Sequence, residues 1–129
     1  MKSFLLAASA ALAAVAVPAM AAEEAVPTTP QDDIECAAWA SFTGSFAEDD
    51  LADKSMAMAF NYFLGRYQAV VGEDFGDALT EALNAMDGDP SVYERYDAMC
   101  QPRWLAHGQA LQDWAASVAG TTVEDGSAS

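Results

Sequence analysis

Two cysteines, a single histidine and an arginine set in an apolar run are the residues here whose types and spacing bear on chemistry. Cys36 and Cys100 are the only thiols of the 129-residue chain. A thiolate metal site would need a further Cys at ligand spacing or a group of His, and His107 is the only His. A disulfide between Cys36 and Cys100 is therefore expected, in keeping with an N-terminus that reads as an export signal. Closing so long a loop is worth on the order of 4 kcal/mol in the chain-entropy account.

Arg66 is the one charge in the run Met56–Val71 and follows Gly65. A guanidinium among apolar neighbours needs a carboxylate or helix-terminal carbonyls, with its stem buried and its head at the edge. Its alternative role is to hold an anionic ligand or a partner, so Arg66 is the candidate contact residue. Gly65 costs roughly 1 kcal/mol against Ala inside a helix. Close approach of a neighbouring backbone or ring, Trp39 or Trp104, is the expected compensation.

Catalytic constellations are absent from the pattern, and no catalytic residue is assigned. A general base at His107 would need a nucleophile or carboxylate brought to it by the fold, and a packed or surface His is expected instead. No Gly-x-Ser-x-Gly elbow and no phosphate-cradling glycine loop occurs. The segments Glu48–Asp53 and Asp87–Asp89 lack the alternating oxygen ligands and terminal Glu of a calcium loop, so they read as helix stop and start signals. No metal and no cofactor is expected.

The N-terminus has three parts: a positive start at Lys2, an apolar run over Phe4–Val17, and small residues ending Ala19-Met20-Ala21. That is the form of a secretory signal peptide cleaved after Ala21, which predicts a periplasmic or secreted protein. The formal charge is −15, from 20 carboxylates against five basic side chains. Such a balance repels nucleic acid and anionic membrane surfaces, and leaves another envelope protein as the expected partner class.

What must position these residues is a set of helices. No stretch alternates with period two, so the fold class is all-α, a single bundle of about five helices stapled by one disulfide. An acidic lead over 22–29 ends at Thr29, an N-cap with Pro30 at the first helical position and Asp32 in the capping-box place. The predicted helices cover about 30–46, 48–71, 74–86, 90–101 and 103–119, with Pro102 breaking or kinking the chain between the last two. Cys36 near one helix start and Cys100 near another helix end make those helices antiparallel. The Met56–Val71 helix, apolar on nearly every side, is the expected hub. Trp104, Gly108, Leu111, Ala115 and Val118 form one face of the last helix, and 120–129 reads as a disordered acidic tail.

The signal peptide, Cys36 with Trp39, the run Tyr62-Phe63-Leu64-Gly65-Arg66 and Cys100 before a Gly-containing last helix resemble a group of small exported bacterial proteins. That group brings no activity with it. More distantly, the architecture is similar to the HdeA-type acid-stress chaperones, which implies loosening in acid and exposure of apolar surface to clients. The charge balance runs against that implication: near the sequence pI of about 4.1 the net charge passes through zero. Full protonation then leaves few positive charges to drive the chain open. The function expected is a non-catalytic, exported interaction or binding module. The alternatives are an HdeA-like chaperone, or an enzyme or enzyme subunit whose site the residue pattern does not reveal.

Overall fold

The computed structural model describes residues 28–126, with side-chain surroundings described to residue 120; the expected signal peptide, most of the acidic lead and the last three residues of the expected tail lie outside the described residues. Four helices follow one another: α1 Pro30–Ser45, α2 Asp50–Val71, α3 Gly76–Met86 and α4 Pro90–Gly126. There is no strand among the described residues.

The starts of these helices are written locally. The Thr29 hydroxyl accepts from the Asp32 amide at 3.2 Å, and the Asp32 carboxylate accepts from the Thr29 amide at 2.9 Å, a complete capping box with Pro30 behind it. Asp49 caps α2 by accepting from the Ala52 amide at 2.8 Å. Gly72, at φ 115°, stops that helix in a conformation that side chains with a Cβ rarely adopt. Asp89 accepts from both the amide and the hydroxyl of Ser91 at the start of α4.

The expectation of five helices is corrected to four, because Pro102 does not divide α4. A proline there removes one backbone hydrogen bond and crowds the carbonyl four residues back, costing about 3 kcal/mol. Contacts on both sides of it hold the helix to α1. Cys100, before the proline, is joined to Cys36, and Arg103, after it, is bound to Asp33.

These contacts belong to a regular series. Along α1, positions 33, 36, 39 and 43 meet positions 103, 100, 97 and 93 of α4 in turn. The contacts are an ion pair, the disulfide, a Trp39 Nε1 to Asp97 hydrogen bond of 2.9 Å, and a Thr43 to Tyr93 hydroxyl contact of 3.1 Å. Each step forward on one helix is a step back on the other, so α1 and α4 run antiparallel, as the cysteine positions imply. Continuing the register places Pro30, the first residue of α1, level with Ala106. Beyond that point α4 outruns α1.

The hub is α1, not α2. Asp33, Ile34, Cys36, Ala37, Ala38, Trp39 and Ala40 are all buried, and only Glu35 in those two turns is partly exposed. Helix α1 packs against α2, α3 and α4. On α2 only Ala59, Phe63, Leu64 and Tyr67 are buried, while Met58 is 61% and Val70 is 70% exposed. The three alanines explain the reversal: they offer little apolar area themselves, but they let three helices close in around one axis. From α3 the core receives Ala82 and Met86, with Phe75, Leu79 and Leu83 partly covered.

The close approach expected at Gly65 is found at Gly44 instead. A Cβ on Gly44 would lie 3.0 Å from the Met56 Cβ, an atom fixed to the backbone of α2, whereas a Cβ on Gly65 would meet nothing within 4 Å. Gly44→Ala is therefore expected to destabilise the domain by about 1–3 kcal/mol through overpacking. Gly65→Ala should stabilise it by up to about 1 kcal/mol. Chemical denaturation of the two variants checks both signs, and equal shifts would contradict this account.

Candidate functional site

The most concentrated group of charges in the fold stands where the first turn of α1 faces α2 and α4. Asp33 is the one buried charged residue described, with its side chain 4% exposed. Its Oδ1 accepts from Arg66 Nε of α2 at 3.2 Å and from an Arg103 terminal nitrogen of α4. Arg103 also donates to Cys36 Sγ at 3.3 Å and lies over the Phe63 ring, 4.9 Å from its centre. Arg66 donates a further bond to the Thr28 hydroxyl at 3.2 Å. The hydrogen bond to Asp33 pushes the Arg66 guanidinium further above its already high ordinary range, with burial opposing the change.

Arg66 has thus found the carboxylate that its apolar setting demanded. Its side chain keeps 43% exposure, against 18% for Arg103, so Arg66 forms the rim of the cluster and Arg103 its interior. An aromatic group continues from it. The Arg66 guanidinium lies 5.7 Å from the centre of Tyr62, and Tyr62 stacks on His107 at 3.9 Å. Trp104 adjoins both rings and donates to the Ser55 hydroxyl of α2 at 3.3 Å. His107 is accordingly a packed residue, half-buried at the α2–α4 contact.

Tyr62 stands between Arg66 and His107, and the main clefts lie elsewhere. A cleft of about 390 Å³ between α1 and α2 is lined by Ala40, Ser41, Gly44, Asp53, Met56 and Phe60 among others. A second, of about 520 Å³, lies at the α1–α2 turn around Phe46, Ala52 and Met56. Neither is lined by Asp33, Arg66, Arg103 or His107. Among the described residues, no three His, Cys, Asp or Glu side chains converge as metal ligands. No described helix is long and apolar enough to cross a membrane.

Cys36 and Cys100 are joined, both fully buried, with their Cα atoms 5.3 Å apart. No particular carboxylate for Arg66 follows from the sequence reading, which asks only for a carboxylate or helix-terminal carbonyls. A signal was there: Asp33 precedes Cys36 by three residues and Arg103 follows Cys100 by three. An antiparallel pair bridged at the cysteines puts those two side chains level, one turn from the bridge.

The other feature that stands apart is the far part of α4. Every residue from 109 to 120 is exposed. Leu105 is 65%, Leu111 49% and Trp114 64% exposed, and Val118 keeps 44% exposure on the same helix. At the α-helical rise, residues 107–120 reach roughly 20 Å past the first turn of α1. The face expected to be inward is partly covered at Trp104 and Gly108 and exposed from Leu111 onward.

Comparison with protein-family models, with curated proteins and with solved structures finds no match for this chain.

Removing the Asp33 carboxylate leaves the largely buried Arg103 guanidinium uncompensated, with the partly exposed Arg66 beside it. Asp33→Ala is expected to cost about 3–5 kcal/mol, and Arg103→Ala clearly more than Arg66→Ala, which should stay within about 1 kcal/mol. Urea unfolding of the three variants tests the order; a small effect for Asp33→Ala would show the cluster to be dispensable. Reduction of the unfolded protein should raise its mass by two hydrogens, and free thiols in the non-reduced protein would contradict the bridge.

Proposed function

We propose that this chain is an exported, non-catalytic interaction module that engages another envelope protein through the far part of α4. The observation that carries this reading is the exposure of Leu111 and Trp114 on the part of α4 that extends beyond α1. Large apolar side chains scattered singly over a surface need no explanation, but a set of them on one projecting element marks an interaction site. Tryptophan is the side chain most enriched among residues that dominate interface energies.

Support also comes from how the rest of the chain is committed. Both arginines of the charge cluster are bound to Asp33, which supports a structural role for Arg66 and leaves α4 as the surface on offer. The disulfide and the ion pair hold the root of α4 to α1 on both sides of Pro102, so the projecting part starts from a fixed base. An exported location fits the cysteine pairing and the N-terminal residue pattern.

The test is a photo-activatable residue placed at 114 in the full chain, expressed in cells that export it. A discrete cross-linked adduct in envelope fractions is expected from position 114 and not from Leu51, an exposed apolar residue on α2. Adducts from neither position, or equally from both, would end this reading. Trp114→Ala should leave stability within about 0.5 kcal/mol, because the ring is mostly outside the core.

A further inference from the structure

The apolar residues of the far part of α4 are not a separate patch. Cys100, Trp104, His107, Leu111, Trp114 and Val118 follow one another at alternating steps of four and three. That is the spacing of the inward positions of a coiled-coil seam. The first three of these positions are already packed: Cys100 on Cys36, Trp104 on Ser55 and Tyr62, His107 on Tyr62. The same seam that holds α4 to its own domain therefore continues outward as Leu111 and Trp114, both exposed. A surface with this spacing fits the apolar side of another helix lying alongside it.

Charge selects among such helices. After Arg103 the sequence contains Asp113, Glu124 and Asp125 and no Lys or Arg. Of the five basic side chains in the whole protein, Arg66 and Arg103 are bound to Asp33, and the balance stands at −15. A second copy of the chain would bring the same negative charge to the seam.

We infer that the occupant of this seam is a cationic amphipathic helix of a different protein, its apolar side on Leu111 and Trp114 and its Lys or Arg residues toward the acidic surface. This rests on the interaction reading given above and adds the chemical class of the partner. Opposite charge steers the encounter and fixes the choice of partner, while the apolar seam supplies the contact area.

The experiment uses three labelled peptides with the oxidised protein, followed by fluorescence anisotropy. They are a three-heptad Leu/Lys helix, its Leu/Glu counterpart, and a scrambled Leu/Lys sequence that cannot form an apolar side. The expected result is binding of the Leu/Lys helix about tenfold or more tighter than either control, weakening as salt is raised. Leu111→Asp and Trp114→Ala should each reduce that binding about tenfold, with helical content unchanged, while Leu51→Ala should not alter it.

Equal binding of the Lys and Glu helices, both lost in Trp114→Ala, would overturn the cationic partner and leave the interaction reading standing. Binding of the Lys helix that ignores Leu111→Asp and Trp114→Ala would show attraction by net charge alone, and overturns the inference. So would a dimer in analytical ultracentrifugation that Trp114→Ala abolishes, since the occupant would then be a second copy. Absence of cross-linking at position 114 in cells is the separate result that removes the interaction reading itself.

Discussion

Asp33 holds one carboxylate out of water between two arginines, and the arrangement of the remaining helices depends on it. Desolvating a carboxylate is costly unless charge and hydrogen bonds compensate, and here α2 supplies one guanidinium and α4 the other. The three helices are thereby brought to one point on the first turn of α1. One turn further on, the Cys36–Cys100 bridge repeats the link between α1 and α4 in covalent form. Either link alone would leave α4 able to pivot about it. Two links a turn apart fix its direction, and so fix where its exposed part points.

The same constraint explains how a proline is accommodated inside α4. Gln101 and Pro102 lie between the two anchors, with Cys100 on one side and Arg103 on the other. Local chain stereochemistry favours an interruption there. An interruption would have to displace Cys100 or Arg103 from a partner on α1, at a cost comparable to or above that of the missing hydrogen bond. Packing on α1 settles the matter in favour of continuity, and continuity turns what reads as a separate fifth helix into the outer part of the fourth.

Function, in this account, follows from a mismatch of lengths. Helix α1 has 16 residues and α4 has 37, and their antiparallel register leaves the surplus of α4 on one side. The apolar spacing that α4 needs to pack on its own domain runs on past the end of the surface it packs against. On the proposed reading, the partner of this strongly acidic protein carries apolar side chains at helical spacing, with positive charge beside them.

Much of this was legible in the residues themselves. The helical class, the capping box at Thr29, the Asp49 start, the Gly72 stop and the pairing of Cys36 with Cys100 follow from local stereochemistry and from the scarcity of alternatives. So does the antiparallel course of the helices carrying the two cysteines. What only the tertiary structure decided is which helix is enclosed, which glycine is crowded, and who answers Arg66. Side-chain size drew attention to the Met- and Phe-rich α2, yet enclosure depends on how closely neighbours approach, and the alanines of α1 allow more of that. Gly65 and Gly44 look alike along the chain, and only the α1–α2 crossing puts Met56 over one of them. The periodicity of Leu111, Trp114 and Val118 is a property of the sequence; that no part of α1 reaches them is a property of register, which the positions of Asp33 and Arg103 set.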